Sequence, residues 1–484
     1  MSETFISDTK KQFGLIFTIC FAGFMILLDS SIVNISLPEI SRYFNITMSK
    51  TAMISLSYLL VLTSTLIVAG KIADKIGLKK FFIIGYILFT SASFLCGVSN
   101  SFLMLVVSRA FQGLGAAIMY VVTTAIIPKY LPINVRGKAF SVLLMACTLG
   151  LILGAPLGGI ITTYFSWHWI FLINIPFGAA ACYVAQRLIP PDEENADVAK
   201  KRFDIAGAVL SFFGLSFFCF VVNQGEEIGW LSPIIISILI LAVIFAASFI
   251  YRQKSTEFPL VDLKIFENRN FVFANMTNIF YFAAFAGNNF MMPFFLTKFK
   301  GYKTNEAGFI VLLFSIAFMI VNYFVGCIVD KMSRRKFCAI GALAAVLAYL
   351  VFVAAIKFSG LWSVLLFLLL AGIAMGIFSA PINELVMNMA KEGEQGVVSG
   401  IFKTGTNLGL ILGVCIFELV FEQAIVHRAA IHNMSIFDAN IPSSILFSGF
   451  RFVYISGVLI NVMALVFSIS VKDDSKNKTI GGLI

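Results

Sequence analysis

The chain reads as an all-α protein that crosses a bilayer many times, on three observations. First, 59% of its 484 residues are apolar and 12% are charged, about half the roughly 25% charged share of soluble domains. Its mean hydropathy is +0.95. A water-soluble globule has no way to hide that much apolar surface, which excludes soluble enzymes, disordered regulators and secreted disulfide scaffolds. Second, the apolar residues gather in runs near the length of about 20 that a spanning helix needs. Barrel strands would be about ten residues long and alternate in polarity, and these runs do neither. Third, the formal charge of +10 is scattered through short loops. That distribution fits positive cytoplasmic loops and not a nucleic-acid-binding patch.

Fourteen segments follow in order, near 12–35, 51–70, 81–98, 102–127, 138–162, 169–188, 204–223, 233–251, 270–297, 306–328, 337–356, 361–385, 397–421 and 448–471. The first starts behind Lys10 and Lys11 and is too long for a signal-peptide core, so it is a retained span. With a cytoplasmic N-terminus, 25 of the 35 basic residues fall on the inner side and eight on the outer. Arg109 and Lys403 remain within spans. The split favours both termini inside the cell membrane. Trp167, Trp169, Trp230 and Trp362 then all fall at the outer boundary, the headgroup level that indoles prefer. The eight cysteines form no CxxC pair and read as small core residues. His427 and His432 share an outer loop with too few further ligands for zinc. No Walker sequence points to ATP.

The chain also repeats. Gly70-Lys-Ile-Ala-Asp74-Lys75-Ile-Gly77-Leu-Lys79-Lys80 follows the second span, and Gly326-Cys-Ile-Val-Asp330-Lys331-Met-Ser333-Arg334-Arg335-Lys336 follows the tenth. This register predicts a six-helix bundle over 12–188 and a second over 270–471. Two extra spans lie in the linker 189–269, and a tail covers 472–484. Parallel six-span repeats are a transporter architecture. The Pro-led stretch from Pro190 is polar and reads as linker.

Several side chains carry candidate chemistry. Asp29 sits inside the first span, where a carboxylate is expensive and is usually functional or paired. Arg109 in the fourth span lies at similar depth at about 1.5 Å per residue, so the two can pair. Gln112 neighbours Arg109 at i+3. The bland readings are a static polar cap for Asp29 and a carbonyl-bonding structural Arg for Arg109. Gly150, Gly154, Gly158 and Gly159 give the fifth span a small-residue face for close helix approach, and Pro156 would bend it. Lys403, with Asn407 one turn on, either snorkels to the inner interface or contacts an anionic substrate. Glu384, Glu418 and Glu422 lie near span ends. The 52 Phe and 17 Met supply material for an adaptable apolar cavity.

These strings resemble the major facilitator superfamily, specifically its fourteen-spanner drug:proton antiporter branch (the EmrB/QacA type). The resemblance covers essentially the whole chain. Leu28-Asp29-Ser-Ser-Ile-Val-Asn34-Ile-Ser-Leu-Pro38 resembles that branch's first-span signature, and the Gly70–Lys80 loop resembles the superfamily loop motif. Leu105-x-x-x-Arg109-x-x-Gln112-Gly113-x-Gly115 and Gly150-x-x-x-Gly154-Ala-Pro156-x-Gly158-Gly159 resemble the fourth-span and fifth-span antiporter motifs. Trp169-Ile-Phe-Leu-Ile-Asn174-Ile-Pro176-Phe-Gly178 and Pro259-Leu-Val-Asp262-Leu-Lys-Ile-Phe266 also look branch-specific. Two departures stand out: Ala155 separates Gly154 from Pro156, and Ser333 stands where the first loop has Gly77.

The resemblance implies a major facilitator fold and a non-enzymatic, proton-driven exporter of hydrophobic or amphipathic compounds that needs no cofactor. It implies proton coupling by Asp29 and Arg109. Gly70, Asp74, Lys75, Gly77, Lys79, Lys80, Asp330 and Arg334 are expected to gate the inner side. Asn34, Gln112, Asn174, Glu384, Lys403 and Asn407 are candidate substrate contacts. Expected partners are protons, lipid and a small amphipathic substrate, with the protein acting as a monomer and binding no nucleic acid. Export of an endogenous lipid, fatty acid or anionic metabolite is the rival within transport. A membrane enzyme or sensor would need a clustered catalytic set or a soluble signalling domain, and neither is visible.

Overall fold

The computed structural model describes residues 8–191, 204–256, 263–328, 333–357, 360–389, 395–431 and 442–472. Every regular element among them is a helix. In chain order they are α1 (Thr9–Phe44), α2 (Met48–Ile76), α3 (Leu78–Gly97), α4 (Phe102–Tyr130), α5 (Ile133–Tyr164), α6 (Trp169–Leu172), α7 (Asn174–Leu188), α8 (Ile205–Ile228) and α9 (Pro233–Ser255). After a short 3-10 turn (Leu263–Glu267) come α10 (Arg269–Phe294), closed by a π-helical turn (Phe295–Phe299), then α11 (Thr304–Ile328), α12 (Arg334–Ala355), α13 (Trp362–Met387), α14 (Gln395–Ile431) and α15 (Ser443–Ser470).

Among the described residues, thirteen helical stretches are long and apolar enough to cross a membrane. Helix α2, with 29 residues, supplies the remaining predicted segment. At about 1.5 Å per residue it rises well beyond a 30 Å hydrocarbon core. The helix starts follow local chemistry: Thr47, Ser101 and Ser232 each accept a hydrogen bond from a first-turn amide of the helix they precede, satisfying donors a helix N-terminus leaves open. Gly77 ends α2 at φ +103°, a conformation that costs a residue with a Cβ. In the second copy Ser333 precedes α12 at φ −65°, so the two loop motifs turn differently.

The predicted sixth span stands as one apolar stretch, Trp169–Leu188, with a local irregularity at Ile173, between α6 and α7, where the backbone keeps right-handed helical angles. Pro176 has no N–H to offer the carbonyl of Leu172 four residues back, and its ring crowds that carbonyl. Pro156, by contrast, lies inside an unbroken α5. Trp167 is another difference. It is 4% exposed and stacks on His168 at 3.7 Å instead of standing free in an interfacial belt.

The chain divides into two compact units. Unit one is Met1–Leu260 with Tyr302–Phe309, and unit two is Val261–Gly301 with Ile310–Ile484. The extra helices α8 and α9 thus group with the first repeat, α8 packing on α2 and α9 on α8. Within each unit the same partners recur. In unit one α1 runs along α5, and α3 packs on α4 and α7. In unit two α10 runs along α14, and α12 packs on α13 and α15. Glycines bring the long pairs together. On α5, Gly150 and Gly154 face Phe24 and Ser31 of α1, and a Cβ at Gly158 would meet Ile35 at 2.6 Å. On α14, Gly409 and Gly413 face the backbone of Ile279 and Ala283 on α10. Ser31 donates to the Leu151 carbonyl at 2.9 Å, and Ser36 and Thr162 share a bond of 2.7 Å.

Candidate functional site

The core of unit one contains an ion pair buried on both sides. Arg109 and Asp29 are 1% and 0% exposed, and Arg109 Nη1 lies 2.6 Å from Asp29 Oδ2. The matched depths read from the sequence are therefore a direct contact between α1 and α4. A buried pair holds together only if remaining lone pairs and protons are also served, and several are served here. Asp29 Oδ1 accepts from Gln112 Nε2 at 2.8 Å and from Asn174 Nδ2 at 2.9 Å. Arg109 Nη1 also donates to Gln112 Oε1 at 2.6 Å, and Arg109 Nε donates to the Ile54 carbonyl at 3.3 Å. Gln112 Nε2 donates further to Ser93 Oγ at 2.8 Å, while the Cys96 thiol donates to Gln112 Oε1 at 3.7 Å. The guanidinium lies 4.2 Å from the centre of the Tyr58 ring, a cation–π distance.

Five elements thus converge on one cluster: α1, α4 and α7 meet at the carboxylate, and α2 and α3 hold Arg109 and Gln112. The irregularity at Ile173 puts Asn174 at the first position of α7, where its amide reaches Asp29. Both carboxylate oxygens face N–H donors, the acceptor-only arrangement of an ionised Asp. Oδ1 accepts from two amides, so a proton added there would meet a donor, whereas Oδ2 accepts from Arg109 alone. Gln112 is held at both ends, so Asn174 is the freer of the two amides.

The sequence singled out Asp29, Arg109, Gln112 and Asn174, and the structure brings all four together. Gln112 and Asn174, expected as substrate contacts, hydrogen-bond to the carboxylate in this structure and are 0% and 2% exposed. Sequence reasoning missed Tyr58, Ser93 and Cys96. Ser93 and Cys96, one turn apart in an apolar span, were the available signal for a polar face on α3. An aromatic residue such as Tyr58 in an apolar run carries none.

The remaining candidates lie elsewhere. Asn34 Oδ1 accepts from Ser55 at 3.0 Å. Of the gating set, Lys79 Nζ donates to the Ile189 carbonyl at 2.7 Å and ties the start of α3 to the end of α7. Gly70 leaves room for a Cβ, 3.6 Å from Val121, and Lys80 is exposed. The side chains of Asp74 and Lys75, and all of Asp330, lie outside the described residues. Arg334 Nε pairs with Glu384 Oε2 at 2.6 Å, both about one-third exposed, so the expected substrate contact Glu384 is an ion-pair partner between α12 and α13. Lys403 and Asn407 are half-buried on α14. Glu418 on the same helix is 2% exposed. Among the described residues, no group of three or more His, Cys, Asp or Glu is placed to hold a metal. His427 and His432 have no described side chains.

Unit two holds a small cavity lined by Tyr281, Asn288, Tyr349 and Asn461 among apolar neighbours. Tyr454 donates to Asn288 Oδ1 at 3.3 Å and Tyr349 to the Ala284 carbonyl at 2.7 Å. None of the lining residues is a carboxylate or a base.

Residues 19–414 match the family model of the Major Facilitator Superfamily. The chain is 30% identical over 424 residues to the riboflavin transporter RibZ of Clostridioides difficile (strain 630), covering 87% of this chain and 90% of that one. It is 29% identical over 398 residues to the multidrug resistance protein Stp of Mycobacterium tuberculosis (strain CDC 1551 / Oshkosh), covering 82% and 73%. The fold matches an inward-facing, occupied crystal structure of a bacterial homolog of the human lysosomal transporter Spinster. There the TM-score is 0.70 at 14% identity, over 96% of this chain and 97% of that one. The chain belongs to the major facilitator superfamily: it is a multi-pass membrane transporter and not an enzyme.

Proposed function

We propose that this transporter is a proton-coupled antiporter of the fourteen-spanner branch that exports hydrophobic or amphipathic compounds, including drugs, by alternating access. Its setting is the plasma membrane, with both termini cytoplasmic as the split of basic residues favours. It acts as a monomer and draws on the proton gradient with no cofactor. The observation that carries the reading is the buried Asp29–Arg109 pair, whose carboxylate has donors on both oxygens.

In this reading Asp29 takes a proton from the outer side. The new O–H needs an acceptor, and every neighbouring contact to the carboxylate is a donor. Arg109 therefore releases Oδ2, and the Asn174 amide turns its oxygen to the acid. With the ion pair gone, α1 loses that tie to α4 inside unit one, and this local release favours the alternate state of the transport cycle. Inward exposure and substrate binding are followed by proton loss to the cytoplasm, and the pair reforms. A potential of 100 mV supplies about 2.3 kcal/mol per charge moved. Asn34, Lys403 and Asn407 are the candidate substrate contacts, with Gly70, Asp74, Lys75, Gly77, Lys79, Lys80, Asp330 and Arg334 gating the inner side. The glycines and Pro156 of α5 form the flexing antiporter element.

A second reading keeps the coupling and changes the cargo to a planar, hydrogen-bonding metabolite. One observation favours it: the similarity to a riboflavin transporter. Gradient-driven uptake into sealed inverted vesicles tests the coupling for either cargo. Asp29→Asn is expected to abolish uptake while leaving substrate binding, and full gradient-driven uptake by this variant would refute the assignment. A panel of cationic, neutral and anionic amphipaths, with riboflavin as one member, separates the two cargo classes.

A further inference from the structure

The two helices between the repeats hold a site that the coupling cluster does not use. Asp204 caps α8 with a side chain 1% exposed. Its carboxylate accepts from the Gly207 amide at 2.9 Å, from Arg252 Nε at 2.9 Å and from Gln253 Nε2 at 3.2 Å. The buried acid thus grips one edge of the guanidinium at the end of α9. The Arg252 side chain remains 46% exposed, and no partner among the described residues takes its Nη groups. Lys254 follows it, exposed, in the same last turn. In the sequence, the approach to α8 is also basic: Lys200, Lys201 and Arg202.

Beside this guanidinium runs an open groove of about 540 Å³, lined by Ala206, Leu210, Ala247, Ser248, Tyr251 and Arg252. Its surroundings are those of a lipid-facing surface. Only 11% of the apolar stretch of α9 is buried, and Tyr251 is 75% exposed. Tyrosines settle where apolar chains meet headgroups. The small side chains of Ala206 and Ala247 leave the groove apolar along its length, and a guanidinium held through its Nε stands beside it.

An open apolar groove beside an Arg held through its Nε matches one class of molecule, an acyl chain joined to a phosphate. We infer that this groove binds an anionic glycerophospholipid, with its phosphate on Arg252 beside Lys254 and an acyl chain along Ala206, Leu210 and Ala247. The inference rests on α8 and α9 being membrane helices and is independent of how Asp29 works.

The test is native mass spectrometry of the purified full-length protein, delipidated and then equilibrated with equal amounts of phosphatidylglycerol and phosphatidylcholine. The expected result is about a tenfold preference for the anionic lipid. Ala247→Phe obstructs the groove and keeps every charge; as Ala247 is exposed, it does not disturb the core. The double variant Asp204→Asn with Arg252→Gln removes both charges without orphaning a buried one. Each is expected to reduce the preference to about twofold or less, with helix content by circular dichroism unchanged. Excess inorganic phosphate is expected to leave the bound lipid in place. A tenfold preference retained in both variants would overturn the inference, as would displacement of the lipid by inorganic phosphate alone.

Discussion

Asp29 and Arg109 show what a buried pair costs and what it makes available. Removing one partner leaves an uncompensated charge in a low-dielectric interior, typically worth about 3–5 kcal/mol. Arg109→Ala is therefore expected to lower stability by about that amount in detergent thermal unfolding. Adding Asp29→Asn should restore more than half of the loss. A double variant that loses the plain sum of both single effects would show that the two side chains are not coupled. Tyr58 offers a finer probe. Its ring lies over Arg109, whereas its buried hydroxyl has no hydrogen-bond partner among the described residues. Tyr58→Phe should leave stability within about 0.5 kcal/mol, and Tyr58→Leu should cost about 1–2 kcal/mol through loss of the cation–π contact. Asp29 and Arg109 were legible in the sequence because charges in apolar runs are rare and depth can be counted at a fixed rise per residue. The part of Asn174 was not, because it depends on how α7 is turned about its axis after the irregularity at Ile173.

Among the elements, α5 is held to α1 by the absence of side chains. A Cβ at Gly158 would lie 2.6 Å from Ile35 and 2.7 Å from the Ile32 carbonyl. Gly158→Val is thus expected to cost about 1–3 kcal/mol as an overpacked contact and to impair transport, since the pair must part or bend. Gly326 is the contrast, with nothing within 4 Å of a Cβ built there. Gly326→Ala should be neutral or stabilise by up to about 1 kcal/mol. Thermal unfolding of the two variants side by side checks both. The small-residue face of α5 was readable from its four-residue spacing. Two features were not: the lengths of α1 and α14, which run to Phe44 and Ile431 beyond their apolar segments, and the irregularity at Ile173. Hydropathy marks where a helix is greasy, whereas helix ends are set by capping and by the proline at 176.

At the scale of the molecule, the loop motifs around Asp74 and Asp330 announced a repeat, and the recurring helix partners in the two units reflect it. Unit one holds a buried ion pair, whereas unit two buries Glu418 on α14 and has a cavity lined by Asn, Tyr and apolar side chains. The grouping of α8, α9 and residues 302–309 with unit one was not legible, because it arises from lateral packing that leaves no periodic trace. Ion pairs also differ in weight across the chain. Arg334 and Glu384 are partly solvated, and such pairs are worth about 0–1 kcal/mol. Glu384→Gln should therefore shift stability by less than about 1 kcal/mol, and the shift should shrink further in high salt. A larger, salt-independent loss would mean that the pair is a structural anchor and not a breakable gate.

The account's central claim is that the Asp29 carboxylate gains and loses a proton during transport. Infrared difference spectroscopy of the purified transporter, titrated with and without substrate and compared with Asp29→Asn, measures this directly. A protonated-carboxyl band should appear on acidification, respond to substrate and be missing from the variant. An Asp29 that stays ionised across the whole pH range in which the transporter works would contradict the claim.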